Sequence, residues 1–403
     1  MKGRLAIISG LLLALLALST VQCMDTKVDP SSNKIRALYG RAPAQPYTYA
    51  LEDPRIEILS ALPWLTYASP SQDLEYARRL ARIYLPRTKE SLLDTTDLIV
   101  LEDIDSRVFT TKTLVWFKEA VRDHGLGAVM GGGSQGFGGN PPFVGWGQSP
   151  LYEIIPVECP YDARLSKDYL VKFKIVDEDN ELAQSLPWER APLYYPTNLV
   201  IPKPGCQLII VSDDEKETPI YFYWDVGEGR FTGVQNIKGV FGQEFNNWEY
   251  FQDTVLNTYY YAVSFPLPPD VAVVHELRGK WDRFYLEKRL LLSLIDFADR
   301  FGANMQEVTA GIGEMEETRE SSDERYLEGQ YVEALERIDA ALDEISGLEQ
   351  LALKLKDRAL TWIYIIEWLV VFSTVLVSSF IVWSLMVRRL LYKEIQVTSS
   401  RSS

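Results

Sequence analysis

At 403 residues, with 47% apolar and 24% charged side chains, the chain is long enough for two or three domains, one of them with a sizeable core. A net charge of -15 argues against nucleic acid as a partner, because phosphate binding needs an excess of Lys and Arg. Three cysteines and two histidines leave little room for a metal site of soft ligands, so neither a metal nor a cofactor is expected.

The N-terminus reads as an export signal over residues 1–23, either cleaved or kept as a signal anchor. Lys2 and Arg4 precede an apolar run over 5–18. Cys23 invites a lipoprotein reading, but Gln22 before it is larger than such processing prefers. After a polar segment, 35–39 and 55–62 read as strands, and 74–85 as an amphipathic helix with Leu74, Ala77, Leu80, Ala81 and Tyr84 on one face.

The centre of the chain is the stretch 96–139. Two short apolar runs, 98–101 and 128–130, flank a helical period over 112–123 carried by Leu114, Val115, Phe117, Ala120 and Val121. Strand, helix, strand and glycine turn make a βαβ unit, hence a parallel sheet with ligand-type loops at its carboxyl edge. Residues 136–150 are too rich in Gly and Pro for regular structure. From 169 to 264 the pattern is strand-like and aromatic, with Gly227 and Gly229 at a hairpin turn, and 248–261 has helical spacing. Pro266, Pro268 and Pro269 mark a boundary.

Beyond it, 277–360 reads as a helical stalk or small bundle. A piece over 326–342 looks like one helix of a tetratricopeptide-type repeat, but no second copy follows. The run 362–387 exceeds the roughly 20 residues that span a bilayer. Trp362, Tyr364, Trp368 and Trp383 stand where interfacial belts do, and Arg388, Arg389, Lys393 and Arg401 follow. The positive-inside tendency then makes 388–403 a short cytoplasmic tail and leaves the rest outside the cell membrane. Glu367 reads as a carboxylate at the outer interface, or as a polar handle for another membrane helix.

The segments DLIVLEDI, GAVMGGGSQGFGG, SPLYEIIPV, GEGRFTGVQ and WEYFQDTVLN together resemble the class I glutamine amidotransferase-like superfamily. They are most similar to its branch of amidotransferase-like domains in membrane and surface proteins. The resemblance covers about residues 34–265 and implies a flavodoxin-like α/β sandwich with a parallel sheet. In active members a tight glycine turn presents a cysteine and a later strand delivers a histidine. Here the turn is Gly131, Gly132, Gly133, Ser134, with no cysteine. The histidine segment, 233–239, holds Asn236, Ile237 and Lys238 but no His. Both halves of the nucleophile–base pair are absent, so no catalytic residue is assigned.

A serine substitute at Ser134 needs a base, and only His124 and His275 exist. Gly131, Gly132, Gly133, Ser134 and Gln135, with Asp103, form a candidate ligand-binding turn, since successive N–H groups can cradle an anion. Asp97, Glu102, Asp103 and Asp105 are expected at the same strand end, as a cation or acid–base cluster or as loop solubilisers and caps. Phe143, Trp146, Tyr221, Tyr223, Trp224, Trp248 and Tyr259 to Tyr261 read as a sugar-binding platform or as packing. Cys159 and Cys206, on the oxidising side, are candidates for a disulfide.

The reading is a single-span membrane protein with an inactive amidotransferase-like domain. It acts in binding or assembly at the cell surface, with the lipid bilayer and a protein partner engaged through helices 277–358 or the span. The alternatives are an extracytoplasmic hydrolase acting on cell-surface glycan or peptide, and an accessory subunit of a membrane transport complex.

Overall fold

The computed structural model describes residues 28, 32–42, 45–63, 70–166, 168–236 and 243–399. The expected export signal, with Cys23, and residues Ile237, Lys238 and Gly239 of the histidine segment lie outside them. So does the tail beyond 399, Arg401 included. The chain divides into two compact units, one of residues up to 278 with 325–331, the other of 279–324 with 332 onward.

The first unit is built on an eight-stranded sheet. Its elements are β1 (Ile35–Ala42), α1 (Gln45–Glu52), β2 (Ile56–Pro63), α2 (Pro70–Tyr84), α3 (Lys89–Thr95), β3 (Leu98–Glu102), α4 (Thr111–His124) and β4 (Gly127–Gly131). There follow β5 (Val157–Glu158), β6 (Phe173–Ile175), α5 (Glu181–Gln184), β7 (Ile201–Pro202), β8 (Gln207–Ser212), β9 (Pro219–Val226), β10 (Gly229–Val234), α6 (Gln243–Asn246) and α7 (Phe251–Ala262). The sheet order is β2-β1-β3-β4-β10-β9-β8-β6.

The pairs from β2 across to β10 are parallel, as the βαβ reading requires. The expectation of a parallel sheet is corrected beyond that point, because β9, β8 and β6 join antiparallel. The cause is local: the turn at Gly227, φ +64°, folds β9 directly back onto β10, whereas a parallel neighbour needs a crossover of a dozen residues or more. Within the strand-like stretch, 197–202 is mostly irregular: Asn198 makes an isolated bridge to Arg164, and Ile201 and Pro202 pair with β5 in a separate two-stranded sheet.

Both faces of the sheet are covered. Leu98, Val100 and Val129 pack into one core with α1 and α7, while Ile99, Leu101, Ala128 and Met130 pack into another with α2, α3 and α4. Alternate strand residues point to opposite faces, so an unbroken apolar run such as LIVL is what a doubly covered strand requires. α4 starts where the Thr110 hydroxyl accepts from Thr113 N and stops at Gly125, whose φ of +72° is the left-handed cap glycine tolerates.

The remaining helices are α8 (Val271–Asp299), α9 (Gln306–Leu327) and α10 (Tyr331–Ser399). The border between the units falls within α8, after Arg278, rather than at the prolines at 266–269. In the second unit Leu291, Ala298, Met305, Val308 and Ala352 form a core of their own, with Leu348, Leu351 and Leu355 against it, so this part is a helical bundle. The periodic stretch from 326 is broken at Gly329, φ +78°, where α9 ends and α10 begins. α10 is long and apolar enough to cross a membrane, and its apolar window has none of its surface buried in the protein.

Candidate functional site

The glycine turn leaves β4 at the carboxyl edge of the sheet, between β3 and β10. Gly132 N donates to Val234 O at 2.8 Å, continuing the β4–β10 ladder by one rung. The next two relevant donors turn inward. Gly133 N is held by Asn198 Oδ1 at 2.8 Å, and Gln135 N by Asp103 Oδ1 at 2.6 Å. Asn198 Nδ2 returns to Gly133 O at 3.1 Å. The chain's own oxygens therefore occupy amides that would face an anion.

Four buried polar residues brace this arrangement. Asn198 N donates to Gln235 Oε1 at 3.0 Å, Thr197 Oγ1 donates to Asn198 Oδ1 at 2.8 Å and also to Gln235 O, and Asn236 Nδ2 reaches Tyr195 O at 3.0 Å. Gln235 and Asn236 stand in the segment where the amidotransferase resemblance expects a histidine, and both are spent on holding backbone. Thr197, Asn198 and Gln235 are absent from the sequence reading. Their signal is only a polar pair inside the aromatic stretch YYPTNLVI, 65 residues from the glycine it supports.

Ser134 is half-buried, and among the described residues its hydroxyl has no His, Lys or carboxylate within hydrogen-bond reach. His124 sits in the last turn of α4, before the start of β4, and a five-residue strand puts that end roughly 16 Å from the turn. His275 is on α8, with Nδ1 2.7 Å from Asp253 Oδ2. Behind the turn the loop folds inward. Phe137 is fully buried and packs on Phe222, ring centroids 5.8 Å apart, while fully buried Trp146 donates from Nε1 to Ile104 O at 3.0 Å.

The four carboxylates expected together at the end of β3 go four ways, which corrects that expectation. Asp97 precedes β3 at the opposite edge and pairs with Arg36 at 2.8 Å. Glu102 has the parity of Leu98 and Val100, so it enters the core with α7 and accepts from Tyr39 OH at 2.7 Å and Tyr259 OH at 2.6 Å. Burial, then the Glu102 carboxylate, hold the Tyr39 and Tyr259 hydroxyls well above the usual phenol pKa. Asp103 turns to Gln135, and Asp105 pairs with Arg107 at 2.6 Å. Among the described residues no three His, Cys, Asp or Glu side chains converge as a metal site would require.

Of the two readings of the aromatics, packing holds for Trp146, Tyr221, Trp248, Tyr259, Tyr260 and Tyr261, which are core residues. Cys159 and Cys206 are free thiols, so the disulfide they were candidates for is not formed in this structure. Burial pushes the Cys159 thiol up to about 12 and that of Cys206 up to about 11, so neither is a nucleophile at neutral pH.

Two further features were not read from the sequence. A groove of about 530 Å³ lies between α2 and the first turns of α4. Arg78, Arg82, Arg87 and Lys112 line it with Phe109 and Trp116, and among the described residues no acidic side chain does, although Arg78 pairs with Glu75 at 2.8 Å. Lys112 stacks on Trp116 with Nζ 4.8 Å from the ring centre. The other feature is a buried ionic cluster. Arg278, 1% exposed, donates to Asp253 Oδ1 at 2.8 Å and Asn257 Oδ1 at 3.1 Å, and lies 3.6 Å from Asp53 Oδ2. Tyr260 and Tyr326 donate to the same Asp53 carboxylate at 2.7 and 3.1 Å.

No protein-family model matches the chain, and no curated protein matches it. Solved structures similar to it include cytoplasmic protein STM1381 from Salmonella typhimurium LT2, 19% identical over 53% of this chain and 86% of that one, with a TM-score of 0.42. Another is the exo-beta-1,4-mannosidase Op5Man5 from Opitutaceae bacterium strain TAV5, 14% identical over 42% of this chain and 26% of that one, with a TM-score of 0.25. Neither likeness is close enough to assign an activity.

Proposed function

We propose that the chain is a single-span membrane protein whose extracytoplasmic domain is a catalytically inactive member of the amidotransferase-like superfamily, acting in binding or assembly at the cell surface. The parallel strands β2-β1-β3-β4-β10 follow the 2-1-3-4-5 order of flavodoxin-like sheets, which supports that fold for residues 34–265. The apolar length of α10, with Arg388 and Arg389 at its end, supports one crossing with the C-terminus inside.

One observation carries the inactivity. The Gly133 and Gln135 amides are filled by Asn198 and Asp103. An oxyanion hole works by presenting donors to charge that develops in the transition state, so donors already satisfied stabilise nothing. Ser134 lacks a base as well, and a hydroxyl without one is a poor nucleophile. The groove lined by Arg78, Arg82, Arg87 and Lys112 is then the binding face. In a chain of net charge -15 it is a local reversal of sign, suited to an anionic group on the partner.

Two measurements test this reading. Purified full-length protein is expected to hydrolyse glutamine no faster than a blank, and turnover abolished by Ser134→Ala would overturn the assignment. Cross-linking in intact membranes is expected to capture a partner that the Arg82→Glu, Arg87→Glu double variant loses. Unchanged capture by that variant would remove the groove as the binding face.

A further inference from the structure

The turn between α8 and α9 carries two exposed rings, Phe297 at 48% and Phe301 at 37% exposure, with centroids 4.9 Å apart. Their height in the bundle follows from the side-chain pairs of the second unit. Lys288 pairs with Glu316 and Arg319 donates to Tyr285 OH at 3.2 Å, so α8 and α9 run antiparallel. Thr318 donates to Glu344 at 3.1 Å and Ser322 to Ala334 O at 2.8 Å, so α9 and α10 do as well.

Helices α8 and α10 are therefore parallel, in the register set by Lys280 beside Asp339 at 2.7 Å. Carried along both helices, that register brings Phe297 level with Lys356 and Phe301 level with Leu360. At 1.5 Å per residue, Phe301 then lies within roughly 3 Å, along the axis, of Trp362, where the apolar run opens. Packing agrees, since Ala298, Ala303 and Met305 share a cluster with Ala352, Leu355 and Ala359.

We infer that this turn is a second membrane contact. Phe297 and Phe301 enter the interfacial layer of the bilayer beside Trp362 and Tyr364, with Arg300, Lys354, Lys356 and Arg358 at the level of the lipid phosphates. The inference rests on the reading of 362–387 as a membrane span. The charge pattern favours lipid. Residues 314–324 carry six carboxylates against Arg319, whereas at the level of the rings Arg300, Lys354, Lys356 and Arg358 stand against Asp296, Asp299 and Asp357, with Arg300 held by Asp296 at 2.6 Å. Cations beside exposed aromatics suit the phosphate level of a bilayer interface, where aromatic side chains are enriched. A second copy of the chain is the weaker occupant. A helical seam through exposed Leu286, Leu290 and Phe297 would pass through Ser293, which is exposed and polar and bonds Arg289 O at 2.9 Å.

The test uses the full chain in lipid nanodiscs, with its three cysteines changed to alanine and its thermal midpoint shown to match the parent. Single cysteines at Phe301→Cys, Ser293→Cys and Phe380→Cys carry an environment-sensitive fluorophore, quenched by lipids bearing a nitroxide near the headgroup or near the chain end. The label at 301 is expected to be quenched by the shallow nitroxide at least about twofold more than the label at 293, with 380 responding to the deep one. If 380 is quenched and 301 is not, the span stands and this inference falls. If 380 is not quenched either, both fall. A disulfide joining two chains through position 301, without lipid quenching there, would identify a second copy as the occupant and overturn the lipid contact.

Discussion

A side chain at position 132 would have nowhere to go: its Cβ would meet Gln235 O, Thr197 Oγ1 and Asn198 Oδ1 at once. Gln235 O is backbone and the other two are pinned by hydrogen bonds, so the strain cannot be relieved by a rotamer change. Gly132→Ala is expected to destabilise the first unit by about 1–3 kcal/mol, read as a lower urea midpoint with unchanged slope. The buried ions make a larger prediction. Removing Arg278 takes the buried guanidinium from between Asp53 and Asp253 and leaves Asp253 to His275, so Arg278→Met is expected to cost about 3–5 kcal/mol. A loss under about 1 kcal/mol would mean that Tyr260 and Tyr326 suffice for Asp53 and His275 for Asp253. At this scale the sequence shows the glycines and shows that no cysteine stands among them. It does not show the bracing by Asn198 and Gln235, because nothing within a few residues of the turn marks a partner 65 positions away.

At the level of elements, strand parity decides what composition leaves open. Glu102 and Asp103 are neighbours in sequence, yet Glu102 keeps the parity of β3 and enters the core beneath α7, while Asp103, past the strand's end with φ of +39°, closes the glycine turn. The start of α8 supplies a pH-dependent contact. His275 bonds Asp253 and lies over the Tyr250 ring, centroids 4.3 Å apart. The Asp253 hydrogen bond, then its charge and that of Glu249, raise the imidazole above its ordinary pKa, against burial and Arg278. A raised folded-state pKa means that this contribution is fully present below about pH 6.5 and is lost as pH climbs through the folded value. The thermal midpoint of His275→Gln should thus fall below the wild type's by most in mildly acidic buffer, and the gap should narrow in alkaline buffer. A gap independent of pH would show that the ring matters only as packing on Tyr250.

For the molecule as a whole, the decisive segment is the apolar length of α10, which lies bare in the bundle unit. A charge in its middle should be tolerated by a soluble helix and rejected by a membrane one. Leu376→Arg is expected to lower the carbonate-resistant membrane fraction sharply, since Arg at a span's centre costs about 2.5–3.5 kcal/mol on insertion scales. An unchanged fraction would make α10 a partner-binding helix instead.

The sequence by itself determined the parallel βαβ centre, the hairpin at Gly227, the helical C-terminal third, the apolar run and the missing thiol–imidazole pair. Each of these is written within a single segment, as a period, a turn residue or an absence. Tertiary structure alone decided which way the β3 carboxylates point and that the glycine amides are filled from within. These depend on pairings between residues far apart in the chain, and a distant hydrogen bond or a shared helix register leaves no mark on local composition.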